Sequence, residues 1–515
     1  MLLSGRPNLY VLIFFASILI TLNFVLTEAW PVTGILGRLD NAVYTLGGAQ
    51  WASGKIPYLA FWDNKPPSIY VLNAIAWKIS GGFIGIWLFS LLACVATIVL
   101  FYRICRTLYG DEPALLASTY YFFLMLPEAN PDIVNNFVLF LTLGSFEVAF
   151  VSGASMHYMI RCLILGFLWS VGLLLRPNAM LVDSVLCLLA LIRSPNNQRV
   201  VSSAKGLFAM AIGAAAYIAP IIIYFIIHNA WYALQDCVER FNAVYVSGPI
   251  ADHLKAIYSG IGVASGGNVI ILAVTAVFIL IRPYPHTRPE FILLERMLPI
   301  ILITELLLAS ASGRPYGDYF ILAMLVGGLI FCSFAASSFD MLKSVDPASM
   351  YLKKIMMASY GGIVLTGMLN FSFASEPVFV KGFWYDHPVS DVAAFLKSHP
   401  SDGKIFVWGD HPGVYLLPGV QRDVKYTFIL PFSIKKYANP STVLALLDNL
   451  KTVQPTYIFD LSAYGPNGSS LPPLNSVESV PAADPLHSIY VYIANAYEPC
   501  PGSVSGEFEV FKRRT

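Results

Sequence analysis

The sequence has little charge. Asp, Glu, Lys and Arg together make up 12% of its 515 residues, whereas hydrophobic residues make up 57%. A typical soluble domain carries about 25% charged and about 45–50% apolar residues. The low charge therefore excludes an ordinary soluble domain and indicates a polytopic α-helical membrane protein, with the lipid bilayer as its main environment.

The sequence also lacks the marks of nucleic-acid-binding and metal-thiolate proteins. The formal net charge is +1 and we find no basic tract, so no nucleic-acid partner is expected. The seven cysteines stand singly, without a Cys-x-x-Cys pair, and are interpreted as packing residues. Cys237 and Cys500 are the pair predicted to share a non-cytoplasmic side, and two free thiols are favoured over a bridge between them.

What the sequence does contain is a series of apolar runs long enough to span a membrane as helices. The first run is interpreted as an anchor because its apolar stretch is long and no clear small-x-small cleavage site follows it. We count about eleven transmembrane helices. They lie near residues 9–28, 82–102, 113–127, 133–151, 161–175, 178–192, 206–228, 262–281, 297–311, 319–337 and 355–373.

The distribution of Lys and Arg predicts the orientation. Alternate loops are basic, as cytoplasmic loops are, if the N-terminus lies in the cytoplasm. An odd number of spans then places the chain after about 374 outside the cytoplasm. The predicted domains are a multi-pass membrane domain, residues 1–373, in the plasma or inner membrane, and an extracytoplasmic domain, residues 374–515. The first outer loop comprises residues 30–81.

The C-terminal region changes character, because strand-like and helix-like segments alternate there. This alternation predicts a small α/β domain. The Pro-, Gly- and Ser-rich stretch 464–487 is predicted to be a loop, and it contains a formal glycosylation sequon at Asn467. The predicted elements are a helix at 388–398, a strand at 404–408, a helix near 440–451, and strands at 456–460 and 488–493.

The first outer loop concentrates polar and rigid residues in the stretch FWDNKPPSIY, residues 61–70. The spacing before it predicts an amphipathic helix at 40–53 that lies in the membrane interface, with Tyr44 among its aromatic anchors. A second interfacial helix is predicted at 68–80, because Pro66 and Pro67 are well placed to begin it.

Ionisable residues gather at the predicted outer ends of the spans. Asp40 begins the first predicted helix, where an aspartate is often only an N-cap. Asp63 and Lys65 follow in the same loop, and Asp132 stands at the next outer mouth, four residues after Glu128. Charged groups at membrane mouths are costly and usually functional, so these residues are candidates for a site, with Glu128 as an alternative to Asp132.

These residues resemble a known family. The run from Asp40 through Gly54-Lys-Ile-Pro-Tyr58 to Asp63-Asn-Lys-Pro-Pro67 resembles the first outer loop of GT-C glycosyltransferases, which use polyprenyl-phosphate sugars. Asn130-Pro-Asp-Ile133 resembles their second acidic motif. Ser312-Gly-Arg-Pro-Tyr316 through Tyr319, and residues 231–245, are similar to segments of the bacterial members. Asn41 departs from the family pattern, in which a second acid is usual, and Asp318 stands where a histidine is usual.

The resemblance implies a GT-C-like fold and the transfer of a hexose or pentose, with inversion, from a polyprenyl-phosphate donor. The acceptor is an extracytoplasmic glycan, glycolipid or protein. The chemistry requires a base for the acceptor proton and cations for the departing phosphate. This chemistry can proceed with or without a divalent metal, and the resemblance does not decide between the two. The implied roles are catalytic for Asp40 and Asp132, phosphate-binding for Lys65, Arg314 and Tyr316, and substrate-binding for Asp63, Tyr44 and Tyr319.

Several alternatives stay open. Arg176 is either a third phosphate contact or a structural arginine at a span end. Arg240 and Asn242 either cover the site or form a solvated helix face, which is favoured. Asp410 and His411 either touch an acceptor or close a turn, which is favoured. A transporter or a non-catalytic assembly protein is the alternative to an enzyme, although a transporter would place its ionisable residues at mid-membrane.

Overall fold

The structure is a computed structural model, and it describes most of the chain in ten stretches. The chain forms two compact units: a helical unit, residues 1–27, 89–221 and 248–380, and a mixed unit, residues 28–88, 222–247 and 381–515. The predicted boundary at 373 stays a prediction. The described residues are 39–125, 133–151, 156–192, 199–246, 248–265, 269–281, 289–344, 387–464, 471–500 and 508–514.

The helical unit consists of apolar helices, as the composition predicts. Two long helices, Phe83–Tyr109 and Arg199–Ile227, contain two of the points at which the chain passes from one unit to the other. A π-helical turn, Glu147–Val151, continues one of the others. The remaining α-helices are Asp111–Met125, Ile133–Phe146, Tyr158–Leu173, Leu181–Ile192, Ile250–Ala264, Val269–Ile281, Pro289–Ala309 and Ile321–Ser344.

Four of the described helical stretches are long and apolar enough to cross a membrane, and three shorter apolar helices accompany them. The four are Ile84–Tyr109, Val134–Val151, Val201–Ile227 and Gly317–Asp340. The helical character predicted from the apolar runs is therefore confirmed. The number eleven and the orientation stay predictions, and the predicted spans 9–28 and 355–373 lie outside the described residues.

Buried polar side chains in the helical unit are bonded across helices. The Thr142 hydroxyl donates to Asp183 at 2.6 Å, and the Ser333 hydroxyl donates to Glu295 at 2.6 Å. The Asn136 amide donates to the Ser90 hydroxyl at 2.9 Å. In an apolar environment such bonds remove the cost of burying a polar group, so they fix which helix faces meet.

The mixed unit combines helices with a four-stranded sheet. The strands are β1 (Ile405–Trp408), β2 (Tyr457–Asp460), β3 (Tyr497–Pro499) and β4 (Glu509–Arg513), in the order β1-β2-β4-β3. β1 and β2 are parallel, and β4 lies antiparallel between β2 and β3. All four residues of β1 and of β2 are buried, as in a covered parallel pair. The helices are Leu39–Ala52, Ser68–Ser80, Trp231–Leu234, Phe241–Tyr245, His387–Ser398, Leu430–Ser433, Pro440–Val453 and His487–Ala496, with a π-helix at Gln235–Arg240.

One predicted strand is wrong. Residues 488–493 lie in the helix His487–Ala496, and the chain turns extended only at β3. Aromatic and β-branched residues favour strands in general, which explains the error. The buried side chains are Ile489, Tyr490 and Ile493, and this spacing of one and four residues lies on one face of a helix. Within the predicted loop 464–487, residues 465–470, including the sequon at Asn467, lie outside the described residues.

The predicted helix at 40–53 exists, but its amphipathic character is wrong. It spans Leu39–Ala52, and residues 41–50 are all buried. Glycines explain the close packing that removes an exposed face. A Cβ on Gly47 would lie 2.7 Å from the Tyr70 ring, and one on Gly48 would overlap Asn73. The second predicted helix, at 68–80, is confirmed as Ser68–Ser80, and the two helices pack against each other.

Candidate active site

The segment between these two helices is a tight loop with Lys65 near its end. Gly54, at φ 91°, follows the first helix, and Tyr58 takes φ 65°, a left-handed conformation that is uncommon for a side chain of this size. The Tyr58 hydroxyl donates to the carbonyl oxygen of Lys65 at 2.8 Å. Pro66 and Pro67 are buried immediately afterwards. The backbone of Lys65 is therefore held on both sides.

Asp63 is the buried carboxylate of this loop, with 4% of its surface exposed. It accepts hydrogen bonds from the amide of Asn64 at 2.7 Å and from the hydroxyl of Tyr70. Burial raises the pKa of Asp63 to about 6, although the positive charge of Lys65 and the bond from Tyr70 oppose that rise. Asp63 therefore titrates far closer to neutral pH than an ordinary aspartate.

The structure brings three of the predicted residues into one electrostatic group. Asp63 interacts with the charges of both Lys65 and Asp40, and the nearby negative charge of Asp40 raises its pKa further. Asp40 lies in the first turn of Leu39–Ala52 and is partly exposed. Lys65 is half-buried. A partly exposed carboxylate, a buried carboxylate and a lysine thus lie together in the mixed unit.

Tyr44 joins this group through Tyr70 and does not act as a membrane anchor. Only 1% of its surface is exposed, and its ring meets that of Tyr70 edge to face, with 6.3 Å between centroids. Because Tyr70 bonds Asp63, Tyr44 supports the ring that holds the buried carboxylate. Its predicted contact with substrate stays a prediction.

Residues 231–246 contact the loop directly. The side-chain amide nitrogen of Asn64 donates to the side-chain oxygen of Asn242 at 2.9 Å. The side-chain amide of Asn242 donates in turn to the backbone carbonyl of Asn64 at 2.8 Å. The interpretation of Asn242 as part of a solvated face is therefore wrong, because its side chain is used against the loop. Arg240 is exposed and pairs with Asp236 at 2.8 Å, as a solvated face predicts.

Trp62 anchors the loop to the C-terminal part of the mixed unit. Its indole nitrogen donates to the Tyr437 hydroxyl at 3.0 Å, and that hydroxyl donates to Asp236 at 2.6 Å. The Trp62 amide donates to the Lys425 carbonyl at 2.8 Å. Sequence reasoning did not identify Tyr70, Tyr437 or these bonds, because their partners are far apart along the chain. The aromatic residues of the loop were the feature of the sequence that could have indicated such packing.

In the helical unit, the Arg176 side chain contacts three other residues. Its guanidinium donates to the side chain of Asn135 and, at 3.2 Å, to the carbonyl of Asp318. It also lies over the Tyr319 ring, 4.9 Å from the centroid. These contacts favour the structural interpretation of Arg176, and they place Tyr319 against it.

Three predicted residues of the helical unit, Arg314, Tyr316 and Tyr319, lie in the segment 312–319. The Arg314 backbone amide donates to the Ser312 hydroxyl at 3.3 Å, and the Arg314 side chain is half-buried. Tyr316 is 42% exposed, and its ring meets that of Tyr319 edge to face at 5.6 Å. Asp132 and the alternative Glu128 lie outside the described residues.

Two smaller interpretations concern residues of the mixed unit. Asp410 accepts the amide of Ile429 at 3.2 Å, which favours the turn over acceptor contact for this residue. Cys237 and Cys500 are both free thiols. Among the described residues, no group of three His, Cys, Asp or Glu side chains is arranged to hold a metal ion.

Part of the sequence and the fold are similar to those of known proteins. Residues 64–224 match the family model described as dolichyl-phosphate-mannose-protein mannosyltransferase. The fold is similar to that of ArnT from Cupriavidus metallidurans, solved with undecaprenyl phosphate bound: the TM-score is 0.54 and the identity 12%, with 98% of each chain covered. A comparison with curated proteins by sequence found no match.

A second solved structure, the oligosaccharyltransferase of Archaeoglobus fulgidus tethered to an acceptor peptide, is similar at a TM-score of 0.48 and 10% identity. The match covers 98% of this chain and 74% of that one. The partial family match and the ArnT-like fold agree with the resemblance to GT-C glycosyltransferases seen in the sequence. The mannosyltransferase model covers less than a third of the chain.

Proposed function

We propose that this protein transfers a sugar from a polyprenyl-phosphate donor to an acceptor outside the cytoplasm. The observation that carries the proposal is the group of Asp40, Asp63 and Lys65, in which a half-buried lysine is fixed beside a buried carboxylate. A chain that needed only its fold would not require a buried, ionisable aspartate here, since burying a carboxylate is costly.

The comparisons support the lipid-phosphate part of the proposal. The solved ArnT holds undecaprenyl phosphate, and the matching family model is named for a dolichyl-phosphate sugar donor. Both lipids are polyprenyl phosphates, so the shared chemistry of the two donors is the phosphate and the isoprenoid chain. The proposal for this protein extends to that donor class and leaves the sugar and acceptor unspecified.

The proposed reaction is a single displacement at C1 of the sugar. Asp40 accepts the proton of the acceptor hydroxyl or amine as the acceptor atom forms its bond to C1. The bond from C1 to the phosphate oxygen breaks, its electron pair stays on that oxygen, and the configuration at C1 inverts. Asp40 suits the base role better than Asp63, because it is partly exposed and Asp63 is already bonded to Tyr70.

Lys65 is the proposed cation for the leaving phosphate. Its ammonium group would stabilise the charge that develops on the phosphate oxygen in the transition state. Asp63 orients Lys65 from within the loop, and the bond from Tyr58 to the Lys65 carbonyl fixes the backbone. Because the lysine is positioned before the donor arrives, less conformational entropy is lost on binding.

Transfer of a radiolabelled sugar from a polyprenyl-phosphate donor tests the proposal. The purified full chain is incubated with the labelled donor and with lipid, glycan and protein acceptor fractions. We expect label in one acceptor fraction and release of free polyprenyl phosphate in equal amount. A transporter would move label across a proteoliposome without forming product, and an assembly protein would do neither. Either of those results would overturn the proposal.

A further inference from the structure

The loop that carries Asp63 and Lys65 is held from outside by a chain of hydrogen bonds. The Tyr437 hydroxyl lies at its centre, since it accepts from the Trp62 indole at 3.0 Å and donates to the Asp236 carboxylate at 2.6 Å. Trp62 is 1% exposed and directly precedes Asp63. A bond that fixes Trp62 therefore also fixes the backbone at the point where the stretch from Asp63 to Lys65 begins.

The Tyr437 ring is itself fixed by its neighbours. Phe241 lies edge to face with it at 5.0 Å and edge to face with the Trp62 ring at 4.9 Å. The Arg240 guanidinium lies over the Tyr437 ring, 5.4 Å from its centroid, and pairs with Asp236. Burial and the bond to Asp236 raise the pKa of Tyr437 well above its usual value, so the phenol stays protonated and remains a donor.

The segment that supplies Asp236 is a π-helix, Gln235–Arg240. Such single π-helical turns occur often at functional sites. The short helix Phe241–Tyr245 follows and supplies Asn242, which bonds Asn64 twice. Two consecutive stretches of one segment thus hold the residues on either side of Asp63, and Tyr437 is the link from this segment to the C-terminal part of the unit.

We infer that Tyr437 is a positioning residue for the donor-phosphate site, acting through Trp62 and Asp236 to hold the loop of Lys65. The identity of the ligand as a sugar donor rests on the proposed function. The positioning of the loop by Tyr437 does not depend on it. It assigns a role to the C-terminal part of the mixed unit, which holds the loop in the conformation that presents Lys65.

The test compares Tyr437→Phe with Tyr490→Phe. Tyr490 is a matched control, because its hydroxyl also donates a 2.6 Å bond, to the Pro472 carbonyl, and its ring also packs on a tryptophan, Trp408. In Tyr437→Phe we expect backbone amides of residues 61–65 to exchange hydrogen about tenfold faster, as for the loss of one or two hydrogen bonds. In Tyr490→Phe they should exchange as in wild type.

A second readout measures function. Binding of undecaprenyl phosphate alone should weaken about tenfold in Tyr437→Phe and stay unchanged in Tyr490→Phe. In the transfer assay, kcat/KM for the donor should fall about tenfold in Tyr437→Phe and stay unchanged in Tyr490→Phe, because a displaced Lys65 binds the donor and stabilises the leaving phosphate less well. Asp236→Asn keeps an acceptor oxygen for the Tyr437 hydroxyl and should show a smaller change in both readouts.

The two proposals fail in different ways. Equal exchange over residues 61–65 in wild type, Tyr437→Phe and Tyr490→Phe overturns the inference, whatever the assay shows. Faster exchange in Tyr437→Phe, together with a wild-type protein that neither binds undecaprenyl phosphate nor transfers sugar, supports the positioning role and overturns the proposed function. An equal change in both tyrosine variants would show a general loss of packing and also overturns the inference.

Discussion

The first outer loop and the segment 312–319 hold their charged residues in different ways. In the loop, Asp63 is buried and bonded to Asn64 and Tyr70, beside Lys65 and Asp40. In the segment, Arg314 lies half-buried, and the arginine bonded into the polar contacts around Asp318 is Arg176, from a different part of the chain. Motif position alone therefore does not identify which charge a fold builds into its framework.

The largest effect is expected for Asp40→Asn, which tests whether the partly exposed acid of the loop does the chemistry. Turnover should fall by roughly 10²–10⁴-fold, as for the loss of a general base. Stability should change little, because asparagine serves near a helix start almost as well as aspartate. Sugar-transfer assays measure the turnover, and thermal unfolding measures the stability.

The control for Asp40→Asn is Asp448→Asn, which makes the same substitution on an exposed helix position of the mixed unit. It should leave both turnover and stability at wild-type values. Near-normal turnover in Asp40→Asn would reduce Asp40 to a residue that stabilises the start of its helix.

The next effect concerns Lys65. Lys65→Gln should lower transfer by roughly 10²–10³-fold, as for one lost electrostatic contact to a developing negative charge, and should weaken donor binding. Lys65→Arg should also impair transfer, because a planar guanidinium does not replace a compact ammonium without moving the backbone. Donor binding and transfer rates measure both variants.

Lys78→Gln is the control for Lys65→Gln, since Lys78 is exposed on the next helix. It should bind donor and transfer sugar as wild type does. Equal donor affinity in Lys65→Gln and wild type would show that Lys65 is not the phosphate contact, and Arg314 would take its place.

Arg176 and Arg314, both in the helical unit, sharpen the comparison further. Arg176→Gln should destabilise the fold by about 1–3 kcal/mol, because Asn135 and the Asp318 carbonyl lose a charged donor. Arg314→Gln should instead weaken donor binding about tenfold, the loss expected for one charge-assisted contact. Thermal unfolding and donor KM separate the two; a stable Arg176→Gln variant with weak donor binding would make Arg176 the phosphate contact.

The smallest effect is a pH dependence from Asp63. Its pKa in the fold is about 6 against an ordinary value of 3.8. Donor binding should therefore fall to about half as the pH is lowered to about 6, because Asp63 then loses the charge that orients Lys65. Stability should change in the opposite direction. The folded state binds this proton more tightly than the unfolded state, so the contribution is present below pH 3.8 and is lost as the pH rises through 6.

Asp63→Asn tests the assignment. The variant should lose the change in donor binding near pH 6 and should also flatten the dependence of the melting temperature on pH between 4 and 7. An unchanged pH profile in Asp63→Asn would assign the titration to another group.

Much of the fold can be predicted from local sequence patterns. The contacts that hold the loop of Asp63 and Lys65 in place cannot. The apolar runs predict the helices, and the alternation after residue 387 predicts the helix His387–Ser398, the helix Pro440–Val453 and strands β1 and β2. The same local reasoning gave a strand at 488–493, because composition there favours strands while the burial spacing is helical.

The charged members of the loop were visible in sequence, because Asp40, Asp63 and Lys65 lie within 26 positions of one another. Their supports were not. Asn64 and Asn242 are 178 residues apart, and Trp62 and Tyr437 are 375 apart, so no periodicity or short motif connects them. The buried face of Leu39–Ala52 was missed for a similar reason, since Gly47 and Gly48 show their role only against Tyr70 and Asn73.

The separation between Trp62 and Tyr437 has a consequence for biosynthesis. At about 5–20 residues per second, Tyr437 leaves the ribosome roughly 20–75 s after Trp62. During that interval the nascent chain already contains Asp40, Asp63 and Lys65, but it lacks the hydroxyl and the Lys425 carbonyl that hold Trp62 in the finished protein. The contacts of the loop therefore become available only late in synthesis, and a chain truncated before Lys425 would lack them even if it inserted normally.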